Sequence, residues 1–331
     1  MGSRANAVVI EGGKRHVYYS HWAAQFMDAL AFWGPEHLLL EVRGWRDGLE
    51  DNPSWDGEWW LDNVWAEGGC CIDMDNRRLL VYGGEDIQCD VLWLETYLRL
   101  LPYTWSGWEV KWAWGELGEI ARYAGVEGDK LEEIDCKVTC CPEGKRLDEY
   151  VSQIFDIPEW HLPGSSTLSV CKDGKVCASF LDETNPENLL LIGSKIDDAI
   201  ARLGDETLVY DDDEFLMGGI HLDFDAGEAT LWRTWGNCNG IVLPEYWGGW
   251  TLRDYHSDYR GFYRSVPYFI EFSVRSELVY IEKIGNWLRK TAMRGYPHGM
   301  KVEERERILS DVIRRSHEDN PSPRGLLGLW H

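Results

Sequence analysis

Two short acidic sequences lie 150 positions apart in the chain. Asp73 and Asp75 lie in the first, GGCCIDMD, and Asp223 and Asp225 lie in the second, GGIHLDFD. Because residues two apart in a strand share a face, the two carboxylates of each sequence point the same way. Four carboxylates from two related halves could bind a divalent cation or act as general acid and base.

The same residues also suit a structural role. Asp75 is followed by Asn-Arg and Asp225 by Ala-Gly, and an aspartate at the first position of a turn accepts backbone N–H groups. The apolar residues between the acids would then face inward, and all four carboxylates would face water. The Gly-Gly pair ahead of each sequence fits a bulge or a close strand crossing. We favour the turn interpretation because turn-initiating aspartate is common.

Two histidines are candidates for a general base. His21 follows a predicted strand in YYSHWAA, at a loop position beside Trp22, and His221 lies two residues before Asp223. A histidine and an aspartate on one strand face could tune such a base. The candidate catalytic residues are therefore His21, His221, Asp73 and Asp223. The alternative, that each histidine caps a loop or fills a strand face, is favoured because no partner nucleophile motif is present.

Tryptophan is unusually frequent, with 19 residues. Exposed indoles stack on sugars, bases or cationic groups, and they anchor protein interfaces. The candidate ligand or partner contacts among them are Trp22, Trp105, Trp108, Trp247 and Trp250. The alternative is that the rings fill two small cores and that their indole N–H groups reach backbone carbonyls, since Trp is mostly buried on average.

The net charge of −24 is unevenly distributed along the chain. Residues 260–331 have a net charge of +4, so residues 1–259 carry −28. Such an acidic region repels nucleic acid and anionic membranes, and it favours a protein partner with a basic surface. The acidic loop YDDDEF supplies three further candidate contacts, Asp211, Asp212 and Asp213. The alternative is that the charge only maintains solubility.

Other signals concern location and cofactors. The sequence has no signal-peptide pattern and no window approaching 18 uninterrupted apolar residues, and its nine cysteines make a poor disulfide framework. We therefore expect a cytoplasmic protein in a reducing compartment. No standard nucleophile, phosphate-binding or metal motif is present, and the spacing of Cys136, Cys140, Cys141 and His161 matches no standard zinc site. We expect no cofactor and no metal.

The elements around the acidic sequences form an internal repeat. NAVVIEGGKRHVYYS and STLSVCKDGKVCASF each predict a hairpin, with turns at Gly12-Gly13 and at Asp173-Gly174. A helical segment follows each hairpin. The first helix has Pro35 at its N1 position, and the second runs from Ser194 as N-cap to Gly204.

The repeat continues downstream at a different offset. WSGWEVKW matches WGGWTLRDY at an offset of 142, so the second copy lacks eight residues. These fall where the first copy has the helix pattern DVLWLETYLRLL, and Pro244 opposes a full helix in the second copy.

We therefore predict an α+β fold. It is a tandem pseudo-repeat of two small, mostly antiparallel sheets with helices on one face, plus a helical C-terminal segment. The predicted parts are a first repeat at 1–130, a connector at 131–160, a second repeat at 161–265 and a helical C-terminal segment with a frayed end at 266–331.

The opening MGSRANAVVIEGGKRHVYYSHWAA, with FWGPEHLLL and DNVWAEGGCCIDMD, resembles a group of uncharacterised bacterial proteins. These share a Met-Gly-Thr/Ser-Arg start and a Tyr-Ser-His-Trp segment, and the resemblance covers about the first 130 residues. It implies a bacterial source and no known activity, so it transfers no functional residue.

Two functions from different classes fit the sequence. The first is an acidic intracellular protein-binding module, such as an inhibitor or immunity-type protein that neutralises a basic partner, which needs no catalytic group. The second is an enzyme or small-ligand binder with a cleft between the two repeats, suited to a sugar- or nucleoside-like ligand. The first is favoured because no catalytic signature is present, and whether the protein is an enzyme stays open.

Overall fold

The chain divides into two compact units. A computed structural model of the protein describes residues 2–47, 60–61, 65–85, 87–126, 135–137, 164–182, 185–195, 200, 203, 207–210, 215–234, 240–243, 247–267, 269–272, 277–293 and 297–319. One unit combines Met1–Glu132 with Arg275–Gly325, and the other consists mainly of Glu133–Val274. Each unit contains one of the two larger sheets.

The first unit is built on a six-stranded mixed sheet with the order β3-β2-β1-β4-β5-β6. The strands are β1 (Ala5–Glu11), β2 (Lys14–Ser20), β3 (Arg46–Asp47), β4 (Gly68–Asp73), β5 (Arg78–Tyr82) and β6 (Glu109–Trp112). The antiparallel hairpins β1-β2 and β4-β5 are joined by parallel pairing of β1 with β4, and β6 runs parallel to β5. Gly12 and Gly13 both have positive φ, as a two-residue hairpin loop requires.

The helices of this unit include the two that the sequence predicts, one that begins at Pro35 and one in DVLWLETYLRLL. They are α1 (Met27–Ala31), α2 (Pro35–Arg43), α3 (Val91–Thr104) and α4 (Glu116–Tyr123), with short 3-10 helices at Ala24–Phe26 and Ile87–Cys89. Pro35 opens α2 because it lacks the N–H that a first turn leaves unpaired. Asp90 caps α3, since its carboxylate accepts the backbone N–H of Trp93 at 2.9 Å.

Helical segments cover both faces of the first sheet. Gly68 and Gly69 are successive strand residues and therefore face opposite sides. A Cβ on Gly68 would lie 2.9 Å from Ala24 in the first 3-10 helix, and a Cβ on Gly69 would lie 3.6 Å from Ile120 in α4. The structure thus adds a second helical face in this unit to the one predicted.

The second unit is built on a five-stranded mixed sheet with the order β14-β12-β11-β8-β9. Its strands are β8 (Gly164–Lys172), β9 (Lys175–Asp182), β11 (Phe215–Asp223), β12 (Glu228–Arg233) and β14 (Thr251–Asp254). Two short parallel pairs accompany it, β7 (Asp135–Lys137) with β13 (Gly240–Val242), and β10 (Thr207–Tyr210) with β15 (Phe269–Phe272). The described helices are a 3-10 helix at Pro186–Lys195 and α5 (Tyr259–Ser265). Ser194 lies in that 3-10 helix, and most of the predicted helix after it lies outside the described residues.

The two sheets have the same topology. The order β2-β1-β4-β5-β6 corresponds to β9-β8-β11-β12-β14, with the same antiparallel and parallel pairs. The registers agree as well, since Asn6 lies opposite Gly69 and Thr167 lies opposite Gly219. β6 and β14 begin 142 positions apart, as the sequence match predicts. The tandem pseudo-repeat is therefore confirmed.

The C-terminal helices α6 (Glu277–Met293) and α7 (Val302–Asp319) belong to the same unit as the first sheet. Lys283 Nζ lies 2.5 Å from Asp90 Oδ2, and Trp287 Nε1 donates to Asp28 Oδ2 at 2.8 Å. The predicted α+β class, with two sheet units and a helical C-terminal segment, is confirmed. The predicted domain boundaries stay predictions. None of the helices in the described residues has the length and apolar character needed to cross a membrane.

Candidate functional site

Asp73, the first acid of the first Asp-x-Asp sequence, ends β4 and is only 2% exposed. Its Oδ1 accepts the backbone N–H of Asn76 at 2.9 Å, and its Oδ2 accepts the side-chain amide of Asn76 at 2.8 Å and the hydroxyl of Tyr123 at 2.6 Å. Burial alone would raise the pKa of Asp73, but these hydrogen bonds outweigh it and hold the pKa below its ordinary value. The expectation that this carboxylate faces water is wrong, because Tyr123 of α4 lies over it.

Asp223 has the corresponding role in the second sheet. Its Oδ1 accepts the backbone N–H groups of Asp225 and Ala226, both at 2.9 Å. Asn76 and Ala226 are equivalent residues of the two copies. The first aspartate of each sequence therefore closes the turn of its own hairpin, a role predicted for Asp75 and Asp225.

The second aspartate of each sequence holds a different turn. Asp75 accepts the N–H groups of Gly12 and Gly13 at 2.8 and 2.7 Å. Asp225 accepts those of Asp173 and Gly174 at 2.9 and 2.8 Å, and these bonds lower the pKa of Asp225. Asp75 and Asp225 thus accept turn amides, as predicted, but the prediction that they hold the turn of their own hairpin is wrong, because the turn they hold belongs to the neighbouring hairpin.

One group of possible metal ligands occurs within the described residues. Ligand atoms of Cys171, Asp223 and Asp225 lie within 4.8 Å of one another. The first copy holds Asp73 and Asp75 in the same hairpin positions with Ile10 in place of the cysteine. The two aspartates therefore occupy the same hairpin positions whether or not a cysteine lies beside them.

Trp105 and Trp247 are equivalent residues, and both are buried. Trp105 Nε1 donates to the carbonyl of Ala31 at 2.7 Å, and Trp247 Nε1 donates to that of Leu190 at 2.8 Å. Trp108 and Trp250 pack edge-on against them, with centroid distances of 5.1 and 4.5 Å. The interpretation of Trp105 and Trp247 as core residues is confirmed, so these two rings offer no surface to a ligand.

His221 lies in β11 and is 4% exposed. Its Nδ1 is 2.6 Å from Oγ of Ser169, which is buried opposite it on β8. Burial lowers the pKa of His221 to about 4, although the nearby Asp223 carboxylate acts in the opposite direction. The imidazole is therefore neutral at pH 7, and its pKa is not tuned towards neutrality as a general base requires.

The buried polar row of Ser169, His221 and Thr230 is specific to the second copy. The equivalent positions of the first copy hold Val8, Cys71 and Leu80. Because both copies form the same sheet, the fold does not require polar side chains here. The sequence reasoning missed Ser169 and Thr230, although the alternation of small polar and apolar residues in STLSVC is a signal of a polar strand face.

His21 and Trp22 lie just after β2, at one end of the first sheet. His21 Nδ1 is 2.9 Å from the Tyr19 hydroxyl, and the His21 ring packs edge-on against Trp22 at 4.8 Å. A Cβ on Gly2 would lie 2.4 Å from His21 Nε2, so a larger residue does not fit without a shift of the ring. Gly2 and the Tyr-Ser-His-Trp segment therefore meet at this point. Trp22 is 51% exposed.

Trp65, which sequence reasoning did not single out, lies at the same end of the sheet and is 52% exposed. The guanidinium of Arg4 lies 4.7 Å from the centroid of its ring. Backbone hydrogen bonds join Ser3 to Ala24 at 3.1 Å and Arg4 to Glu67 at 3.0 Å. The segments that carry the two exposed indoles therefore flank the start of β1.

The candidate catalytic residues do not form one cluster within either unit. Asp73 and His21 lie at opposite ends of the first sheet, since Asp73 pairs with Ile10 and the residue before His21 pairs with Ala5. His221 and Asp223 share a face of β11 in the second unit. The predicted contacts Asp211, Asp212 and Asp213 lie outside the described residues.

Comparison with protein-family models gives no match, and comparisons with curated proteins and with solved structures also give none.

Proposed function

We propose that the protein is an acidic protein-binding module that acts on a basic partner, as an inhibitor or immunity-type protein does. One observation carries this proposal: both copies use their paired aspartates for the same turns and their equivalent tryptophans for the same core contacts. The paired aspartates and these two tryptophans thus have structural roles. Apart from these structural roles, the charge of −28 on residues 1–259 attracts a basic protein over a distance and speeds its association.

We place this function in the cytoplasm. Cys70, Cys71, Cys89, Cys171 and Cys177 are free thiols, which supports a reducing compartment. Burial raises the pKa of Cys70, and it raises the pKa of Cys71 to about 12, so both thiols stay protonated and unreactive. The acidic charge supports a protein partner and no nucleic acid or anionic membrane.

Affinity capture from the native host tests the proposal. The tagged protein is incubated with lysate at about 50 mM and about 500 mM salt, and captured proteins are identified by mass spectrometry. We expect a basic protein that is retained at low salt and released at high salt. The absence of a basic partner under both conditions contradicts the proposal.

The acidic loop can be tested with the same partner. Replacing Asp211, Asp212 and Asp213 by asparagine removes three negative charges from the chain. If the loop steers the partner, the association rate falls and the dissociation rate changes little. An unchanged association rate excludes the loop from steering and leaves the charge of the remaining chain as the source.

One observation favours a second candidate function, a small-ligand binder or enzyme. The second copy buries Ser169, His221 and Thr230 at positions where the first copy has no polar side chain. A ligand that forms hydrogen bonds with these side chains would explain why the second copy has them. Thermal unfolding with panels of sugars and nucleosides tests it. A ligand present at 100 times its Kd stabilises the folded state by about 2.7 kcal/mol, so an unchanged Tm with every compound contradicts this candidate.

A further inference from the structure

Two tryptophans of the first unit differ from the rest. Among the described residues, Trp22 and Trp65 are the only tryptophans with more than half of their surface exposed. An exposed indole presents a large apolar area that loses little conformational entropy when it becomes ordered, and Trp is enriched among the residues that dominate binding energy. A pair of such rings at one end of a sheet is therefore a candidate contact surface.

Exposed glutamates occur in the segments next to both tryptophans. Glu67 is two residues from Trp65 and is exposed. The backbone N–H of Glu85, also an exposed residue, donates to the carbonyl of Gln25 at 3.5 Å, and Gln25 Nε2 donates to the carbonyl of Trp22 at 3.2 Å. Each segment that carries an exposed indole is thus linked through its backbone or through the sequence to an exposed glutamate, and this negative charge favours an incoming cation.

The chain itself shows that one of these rings accepts a cation. The Arg4 guanidinium lies 4.7 Å from the Trp65 ring centroid, within the distance at which a cation is attracted to an aromatic face. Arginine or lysine side chains of a partner can make the same contact with indoles, and glutamates at the edge of the surface complement their charge.

The second copy provides an internal comparison. In the sequence, the offset of 161 that relates the first hairpins of the two copies matches Trp22 with Glu183, and the offset of 150 matches Trp65 with Phe215. The second sheet forms the same topology without this pair of indoles. The fold therefore does not require two tryptophans at this end, and a role outside folding accounts for them.

We propose that the basic partner docks at the Trp22–Trp65 surface, which consists of Trp22, Trp65, Glu67 and Glu85. This inference rests on the proposed function and identifies the surface that the basic partner contacts. The occupant is a protein segment that presents arginine or lysine side chains. The indoles bind the apolar and cationic parts of these side chains, and the two glutamates pair with their charges.

Binding of a defined cationic probe tests this surface. The probe is a synthetic nona-arginine peptide, and its Kd for the full-length protein is measured by calorimetry at about 50 mM and about 150 mM salt. The test variant is Trp22→Ala with Trp65→Ala. The matched control is Leu40→Ala with Met293→Ala, because these are exposed apolar side chains elsewhere in the same unit.

We expect the test variant to bind the peptide at least tenfold more weakly and the control to bind like the wild type. A second variant, Glu67→Lys with Glu85→Lys, leaves both rings in place and should also weaken binding. Its control is Glu303→Lys with Glu318→Lys, which makes the same charge change on exposed residues of α7. This pair keeps the test decisive if the tryptophan variant fails to fold.

The outcomes distinguish a failure of the proposed surface from a failure of the proposed function. If the wild type binds the peptide and the test variants bind it equally well, the Trp22–Trp65 surface is wrong and the proposed function stands. If the wild type binds no peptide at either salt concentration, the proposed function and the surface both fail. Equal weakening by the glutamate variant and its control shows that only the overall charge matters, and equal weakening by the tryptophan variant and its control shows that the two indoles are not special. Either result also overturns the surface.

Discussion

Asp75 and Asp225 hold the turn of a neighbouring hairpin in the same way in two separate sheets. Each carboxylate accepts two successive backbone N–H groups at 2.7 to 2.9 Å. In each sheet the contact joins the two antiparallel hairpins at the end where their parallel inner strands finish. The repeated Asp-x-Asp sequence therefore encodes how two hairpins assemble into one sheet.

Replacing either acid should loosen only its own turn. Asp75→Asn should speed amide hydrogen exchange at Gly12 and Gly13 by at least about threefold, because the weaker amide acceptor lets the turn open more often. Asp225→Asn should do the same at Asp173 and Gly174. Each variant is the control for the other, since exchange in the other sheet should not change. Equal acceleration in both sheets contradicts a local role.

The buried indoles should matter more to stability than an exposed one. Trp105→Phe and Trp247→Phe each remove an indole donor and leave a buried carbonyl without it, which should lower the free energy of unfolding by about 2 kcal/mol. Trp22→Phe should change it by less than about 0.5 kcal/mol, because Trp22 lies at the surface. Urea unfolding of each variant measures these differences. If Trp22→Phe lowers the free energy of unfolding as much as Trp105→Phe does, the assignment of Trp105 to the core and Trp22 to the surface is wrong.

Local sequence signals were sufficient to predict the strands, the hairpin turns and the repeat. Gly12-Gly13 and Asp173-Gly174 have the positive φ values that the two-residue turns need, and these residue types adopt them readily. The offset of 150 predicted equivalent hairpins because both copies keep the same spacing from the Gly-Gly pair to the end of the hairpin. The offset of 142 predicted an equivalent last strand because its Trp-x-Gly-Trp sequence is repeated after a segment that is eight residues shorter. A pattern of this kind needs no knowledge of distant contacts.

The site residues depended on contacts that no local pattern contains. Asp75 contacts a turn 63 residues away, and Tyr123 covers Asp73 from 50 residues away. Ser169 reaches His221 across two parallel strands, over 52 residues of sequence. The sequence predicted that Asp75 accepts turn amides because that follows from its residue type, but the identity of the turn follows from the strand order.

The Gly-Gly pairs should tolerate no side chain. A Cβ on Gly218 would lie 2.6 Å from the backbone carbonyl oxygen of Trp232 and 2.4 Å from Pro186. Because the backbone of the paired strand cannot move aside, Gly218→Ala should destabilise the second unit by about 3 kcal/mol.

Gly227→Ala is the matched control for this change. A Cβ there meets nothing within 4 Å, and its φ of +67° costs only about 1 kcal/mol. Urea unfolding of both variants compares the two costs. A larger loss for Gly227→Ala than for Gly218→Ala would show that backbone strain outweighs the steric clash.

The buried imidazole of His221 should make the second unit sensitive to mild acid. Burial lowers its pKa from the ordinary 6.5 to about 4, so between these values the unfolded chain binds a proton that the folded unit does not. The free energy of unfolding should therefore fall as the pH drops from 6.5 towards 4, by about 3 kcal/mol, and this contribution should level off below pH 4. Urea unfolding at several pH values between 7 and 4 measures the slope.

Exchanging the polar pair for the residues of the first copy should remove that slope. Ser169→Val with His221→Cys places the Val8 and Cys71 side chains of the first copy at the matching positions, so no imidazole titrates at residue 221 and the Ser169 hydroxyl is removed together with its imidazole partner. The comparison uses the difference between the two pH profiles, because carboxylates such as Asp225 titrate in both proteins and cancel. Parallel profiles for the wild type and the variant would mean that His221 does not resist protonation in the folded unit, and the buried polar row would then need a different physical explanation.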